Sequence, residues 1–336
     1  MTFDLKTALK FIILFLIGIG VLYLAFRGQD LEKIWQEIKT ANYFWVIISA
    51  IAVLIAHVLR ALRWRMLYQS IHYDVGFWHA YHAVMIGYLA NLALPRFGEI
   101  GRCSVIRKAA KVPMFASIGT VITERLFDVV MLFLTSLAML IFQYDIVADF
   151  LYQTIYRNLA KKLNAVNYWW LIGFSAVILL LIVISIYFLR QKFGKKFLRI
   201  FVNLRQGFGS YSKLKKKGLF LTYTLGIWAF YLLSMYFAFS SIPSSSDLHL
   251  NAAFTAIVFS GFAMAAPVQG GIGVFHWMVA QSLVLYGISF KDGLAYSTII
   301  HSSQFLLILV LGILSLFFIL TKRDAVSSVN AVHTTK

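Results

Sequence analysis

Gly87-Tyr88-Leu89-Ala90-Asn91-Leu92-Ala93-Leu94-Pro95-Arg96-Phe97-Gly98-Glu99-Ile100-Gly101-Arg102 is the stretch that decides the fold. An apolar run begins at Gly76 and stops at Leu94. It then meets Pro95 and Gly98 together with Arg96, Glu99 and Arg102, and resumes only weakly. Proline removes a backbone donor and glycine relaxes the helix, so the run breaks there. A second stretch has the same form. Asn251 to Ala266 is apolar, Pro267-Val268-Gln269-Gly270-Gly271-Ile272-Gly273 interrupts it, and Val274 to Ile288 is apolar again. Each region is either a full span or a hairpin that enters the bilayer and turns back.

Six uninterrupted apolar runs surround these two, at about 8–26, 44–62, 126–143, 168–189, 219–240 and 294–320. Each approaches the roughly 20 residues that a spanning helix needs. Of 336 residues, 60% are apolar and 13% charged, against about 45–50% and 25% in soluble domains. An ordinary soluble enzyme and a disordered tail protein are both excluded. Lys6 and Lys10 followed by the run Phe11 to Phe26 have the outline of a signal peptide. No small-residue cleavage site follows, so an uncleaved first span is expected. The single cysteine, Cys103, allows neither an intrachain disulfide nor a zinc cluster. His79 and His82 lie three apart but lack a third ligand, so no metal and no cofactor are expected. No Ser-His-Asp set or Walker loop occurs, and the chain is not expected to be an enzyme.

The charges orient the spans. Lys and Arg number 31 against 13 Asp and Glu, a formal +18. The bases sit in loops between apolar runs, so they point to an anionic leaflet and not to nucleic acid. Residues 190–218 alone hold ten bases and no acid, interleaved with Phe193, Phe197, Leu198 and Phe201 in the manner of an interfacial helix. Let both interrupted regions be hairpins and the N-terminus be cytoplasmic. That loop then joins Lys6/Lys10, Arg60/Arg63/Arg65, Lys108/Lys111 and Lys322/Arg323 on the inner side. If only 76–94 crossed, the ten bases would lie outside, against the positive-inside rule.

The expected fold is therefore all-α and polytopic: six full transmembrane helices, two opposed re-entrant hairpins, and both termini cytoplasmic in a bacterial-type inner membrane. One membrane domain covers 1–336, with a short tail at 321–336. The order span, span, hairpin, span occurs twice, over about 8–143 and 168–320. Three full spans per half make the second half inverted, and matching interrupted segments mark a transporter's binding site. Leu31, Ile34, Trp35 and Ile38 have helical spacing and are expected to lie flat on the outer surface. The sequence sets no oligomeric state, and a homo-oligomer is compatible with it.

Ionisable groups at membrane depth face a cavity or each other. Asn91, Arg96, Glu99 and Arg102 are followed by Glu124, Arg125 and Asp128 at the expected start of the third span. Glu124 and Asp128, four apart, share a helical face. One reading is a structural lattice in which the three acids neutralise Arg96, Arg102 and Arg125. The other is an anion pocket, in which arginine forks and helix N-termini bind phosphate while the acids orient the arginines. Gly270, Gly271 and Gly273 would let a headgroup approach the backbone at the second tip; close helix packing is the plainer explanation. His57, His276 and His301 read first as packing residues, although imidazole suits protonation near neutral pH.

At these residues the chain resembles a known family. Gly87 to Arg102 is similar to its N-x-x-x-P-x-R/x-x-G-E-x-x-R region, Glu124-Arg125-Leu126-Phe127-Asp128 to its E-R-x-x-D, and Pro267 to Gly273 to its P-x-x-G-G-x-G. Arg63-Trp64 also fits. The family is the flippase-like transmembrane domain of lysylphosphatidylglycerol synthases, and the resemblance spans essentially the whole chain. It implies a lipid flippase-like protein whose partner is an anionic phospholipid or a polyprenyl-phosphate lipid. In the synthases this domain moves an aminoacylated phospholipid outward and a soluble aminoacyl-transferring domain follows. About sixteen residues follow Leu320 here, so synthase activity is not expected. His276 stands where family members often carry an acid, and Gln269 where a proline is common, so lysylphosphatidylglycerol itself is not assigned. The expected binding residues are Asn91, Arg96, Glu99, Arg102, Glu124, Arg125, Asp128, Gly270, Gly271, Gly273 and His276. The rival expectations are a membrane-embedded transferase with Glu99 or Asp128 as general base, and an accessory subunit without transport of its own.

Overall fold

A computed structural model of the chain describes residues 16, 19–94, 96–144, 146 and 210–333, with side chains to 321. Most of the run expected at 8–26, the run at 168–189, Pro95 and most of the basic loop 190–218 lie outside the described residues.

Residues 19–26 are helical. Helix α1, Leu31–Lys39, starts at Asp30, whose carboxylate accepts the Lys33 amide at 3.2 Å. That bond and the Lys33 ammonium hold the Asp30 carboxyl below the ordinary aspartate range. Ile34 is buried while Leu31 and Trp35 stay exposed, as the amphipathic spacing requires. Helix α2 is Tyr43–Ser70, α3 is Phe77–Ala93, α4 is Gly98–Ala110 and α5 is Met114–Phe142. After the undescribed stretch come α6, Lys217–Phe239, α7, Leu250–Ala265, α8, Val274–Val284, and α9, Phe290–His333. Short 3-10 turns occupy Pro243–Ser245 and Gln269–Gly271. The described residues form no strand.

Among the described residues, four helices are long and apolar enough to cross a membrane: α2, α5, α6 and α9 as far as Thr321. The first arms of the two interrupted regions are shorter, with 17 residues in α3 and 16 in α7. At 1.5 Å per residue they reach about 26 and 24 Å, short of the ~30 Å hydrocarbon core. Each turns back into a second helix, so both interrupted regions are helical hairpins. The described residues thus repeat one order, span, hairpin, span: α2, α3/α4, α5, then α6, α7/α8, α9.

Two spans begin or end elsewhere than the hydropathy indicates. Helix α2 runs to residue 70 instead of 62. Helix α5 starts at 114 instead of 126, after Pro113, which as N-cap gives up no helical bond. In both places a hydropathy reading stops at charged residues, but those charges neutralise one another across the two helices, so the helix has no reason to end there.

Two cores form, one around each hairpin, and each draws residues from both halves of the chain. Trp64, Tyr68, Met85, Ile106 and Phe220 pack around the first hairpin; Phe239, Phe275, Leu283 and Tyr296 pack around the second. Helices α2 and α6 join the halves. A Cβ on Gly226 would stand 2.9 Å from Leu59, and the Ser49 and Ser234 hydroxyls lie 2.8 Å apart. Close approach through small residues with occasional hydroxyl bonds is how helices associate without water to drive them together. The same device seats α3 on α9, where Gly312 faces Leu89, and α7 on α5, where Gly261 faces Leu132. The outward faces carry Phe133, Ile141, Phe142, Val310 and Phe317 fully or largely exposed, as a lipid-facing surface does.

Candidate functional site

The centre of the first half is an ionic lattice built from three helices. Glu124 and Asp128 sit mid-way along α5, one turn apart, and face α2, which presents Arg60 and Arg63 from successive turns. Glu124 Oε1 accepts from Arg60 Nη1 at 2.6 Å, and its Oε2 accepts from Arg102 Nη1, on α4, at 3.0 Å. Asp128 accepts from Arg60 Nη1 at 2.7 Å and from Arg63 Nη2 at 2.7 Å. Arg63 also donates to Thr224 on α6 at 3.2 Å, and the Arg102 guanidinium lies 4.5 Å from the centre of the Trp64 ring. Glu124 and Arg63 are completely buried, and Arg60 and Arg102 nearly so. Removing such ions from water costs several kcal/mol each, which only close pairing offsets.

This corrects the sequence reading in two respects. The charge pattern groups Arg60 and Arg63 with the cytoplasmic bases, and the lattice expected from sequence pairs the acids with Arg96, Arg102 and Arg125 alone. Arg60 and Arg63 are instead the principal partners of Glu124 and Asp128. The acids also lie well inside helix α5, which begins at Met114, and not at its first turn. The signal that could have found them is the three-residue spacing of Arg60 and Arg63, followed by the apolar Leu67 and Tyr68, which continues α2 inward.

Arg125 lies on the next face of α5 and is less enclosed, with 41% of its side chain exposed. It pairs loosely with Glu99 at 3.4 Å and Asp128 at 3.7 Å. Together with Tyr88, Asn91, Glu99 and Arg102 it lines a cleft between the first hairpin and α5. The cleft leaves only about 10 Å³ for the centre of a water molecule, room for one water. Several polar atoms around it have no hydrogen-bond partner among the described residues: Arg102 Nε and Nη2, Arg125 Nε and Glu99 Oε2. Four arginines meet three carboxylates here, so one positive charge and several guanidinium N–H groups are left over. Asp128, weighed as a general base, has both carboxylate oxygens committed to arginines.

Asn91 closes the hairpin. Its Oδ1 accepts the Gly98 amide at 2.7 Å and so caps α4, which commits that oxygen to the fold. The arms are so close that a Cβ on Gly98 would run into the Gly87 carbonyl and the Asn91 side chain. At the tip Arg96 takes a left-handed backbone, φ 61°, and donates from Nη2 to the Ala265 carbonyl, the last residue of α7, at 3.0 Å. Gln269 returns the favour to the other helix: its Nε2 donates to the carbonyl of Ala93, the last residue of α3, at 3.1 Å. The two tips therefore meet, each capping the helix end of the other. Gly270 also lies against Leu92.

The second tip carries no charge. Gly270, Gly271 and Gly273 all have positive φ, 56°, 75° and 81°, a path that glycine takes without strain. His276, 6% exposed, accepts the Gly273 amide on Nδ1 at 3.3 Å, and its ring meets His301 at 4.7 Å. His301 donates from Nε2 to the Gly270 carbonyl at 2.7 Å. Of the expected site residues, the structure brings Asn91, Glu99, Arg102 and Arg125 to one cleft, with Glu124 and Asp128 behind it. It places Arg96, Gly270, Gly271, Gly273 and His276 at the junction of the tips. Among the described residues no group of three or more His, Cys, Asp or Glu could hold a metal ion.

A family model described as the lysylphosphatidylglycerol synthase TM region matches residues 11–312. No curated protein and no solved structure matches the chain. The family match covers the membrane region of those synthases and no catalytic domain. With both hairpin motifs and the E-R-x-x-D acids in that span, the chain belongs to the lysylphosphatidylglycerol synthase TM region family, a multi-pass membrane protein connected to lipid metabolism or flipping.

Proposed function

We propose that the protein binds a phosphate-bearing lipid headgroup, from a phospholipid or a polyprenyl-phosphate carrier, and passes it between leaflets. The observation that carries this reading is the surplus cation beside the cleft, with Arg102 Nε and Nη2 and Arg125 Nε unpartnered and Arg125 only loosely paired. Arginine N–H groups in a low-dielectric site bind phosphate strongly and in a fixed geometry. Arg102 and Arg125 take the phosphate, and Glu124, Asp128 and Glu99 hold them in place. Arg96 joins when it leaves the Ala265 carbonyl, and the Gly270–Gly273 backbone offers neutral donors. A cleft with room for one water cannot hold a phosphate, so the first hairpin moves away from α5 to admit it. The acyl chains stay in lipid throughout. The frame for this movement is six spans with two opposed hairpins in inverted halves, in a bacterial-type inner membrane with both termini cytoplasmic.

Replacing Arg125 tests the reading, because the Arg60, Arg63, Glu124 and Asp128 bonds do not depend on it. Native mass spectrometry of gently purified protein should find one phosphate-bearing lipid class on the wild type. Arg125→Ala should lose it, with roughly 10- to 100-fold weaker binding, as expected for charged hydrogen bonds. Lipid translocation in vesicles should fall in parallel at unchanged protein yield. Full activity in Arg125→Ala, or a bound mixture that matches the bulk membrane in both proteins, would overturn it.

A further inference from the structure

His57 sits on α2 one turn before Arg60, 4% exposed, and neither of its ring nitrogens has a hydrogen-bond partner. Buried polar groups are nearly always paired, so a histidine with both nitrogens idle calls for an explanation. The groups around it are few. Arg60 is the charge on its own helix. Tyr88 of α3 lies 4.7 Å from it and Tyr231 of α6 lies 6.4 Å from it, ring centre to ring centre. Glu124 and Asp128 of α5 reach its neighbourhood through Arg60, which bonds both. On α9, Gly312 meets Leu89, the neighbour of Tyr88 on α3, and residues 305–314 hold no titratable group. Tyr88 also lines the cleft with Arg102 and Arg125. Tyr88 is therefore a neighbour both of His57 and of the cleft in which Arg102 Nε and Nη2 and Arg125 Nε have no partner.

An imidazole takes or loses its charge near neutral pH. Without a bound anion, a second cation beside Arg60 is opposed by a lattice that already has one more arginine than carboxylates. A phosphate in the cleft reverses that balance. By linkage, an anion that favours the proton is itself favoured by the proton, to the same degree. We propose that His57 is the proton site of this protein, taking up one proton when a phosphate-bearing headgroup occupies the cleft lined by Tyr88, Arg102 and Arg125, so that anion and proton move together. This rests on the headgroup reading above and adds to it the coupling ion and its place.

The experiment is calorimetric titration of dihexanoyl-phosphatidylglycerol into the detergent-solubilised full chain, in two buffers of different ionisation enthalpy. The phosphodiester stays ionised through the neutral range, so protons counted this way go to the protein. The wild type should take up close to one proton per lipid. Its affinity should weaken by about tenfold per pH unit on the alkaline side, as for one linked proton. His57→Phe and His57→Gln, which differ in polarity and so in their demands on folding, should each bind with no uptake and a flat pH profile. Wild-type binding without uptake, or uptake that persists in either variant, would overturn the proposal. If Arg125→Ala still weakens binding in that case, the headgroup reading stands. Wild-type binding that ignores Arg125→Ala, or no binding at all, removes the headgroup reading and this proposal with it.

Discussion

The first hairpin closes around charge, whereas the second closes around backbone. At the first tip Glu99, Arg102 and the α5 acids fix the arms, and Gly98 is there only because the Gly87 carbonyl leaves no room for a Cβ. At the second, three glycines with positive φ draw the chain through a path that other residues avoid, and His276 and His301 bond it through Gly273 and Gly270. The same break in an apolar run thus serves two ends. One tip presents side-chain cations, and the other presents amides and carbonyls with little side chain in the way. A site between them can combine a charged anchor with a neutral lining, which neither hairpin offers alone.

The largest effect on this contrast should come from Glu124→Gln. It leaves Arg60, Arg102 and Arg63 short of their shared acid, and breaking a buried ion pair in this way costs about 3–5 kcal/mol. The protein should aggregate or lose most of its thermal stability in detergent, read as monodisperse material surviving a heating series. Gly98→Ala should come next. A Cβ driven into the Gly87 backbone carbonyl cannot be relieved by a rotamer change, so the hairpin must open, at about 1–3 kcal/mol. Gly270→Ala should cost about 1 kcal/mol, because its Cβ would meet only Leu92 at 3.5 Å and the cost is mainly the left-handed backbone. A Gly270→Ala protein less stable than Gly98→Ala would reverse the assignment of the two tips. Gln269→Ala should be the mildest, near 1 kcal/mol or less, with the Ala93 carbonyl left to find another donor.

Much of the architecture was legible because Pro and Gly leave marks that hydropathy cannot hide. The breaks at 95–98 and 267–273 follow from those residues, and it takes the placing of the bases as well to read the breaks as hairpins. The paired acids on one helical face were also legible, since a spacing of four fixes their side. Arg60 and Arg63 were not. A base near the end of an apolar run is ordinarily a surface anchor, and only a partner 64 residues away in sequence makes it otherwise. For the same reason the start of α5 was misplaced: Thr123, Glu124 and Arg125 lower the local hydropathy, and nothing local says that they are neutralised. Gln269 shows the limit most plainly. In sequence it stands where the resembled family commonly has a proline; in space it caps the last carbonyl of a helix in the other half.

Those crossed caps have a mechanical consequence. Arg96 and Gln269 each hold a carbonyl that belongs to the opposite hairpin. Withdrawing one tip therefore strips both helix ends at the same moment. Half-parted arrangements keep neither interaction, so the junction favours two positions, fully engaged and fully separated, over any in between. A membrane pathway guarded by such a junction would be less prone to stand ajar and leak small ions, without a separate gate.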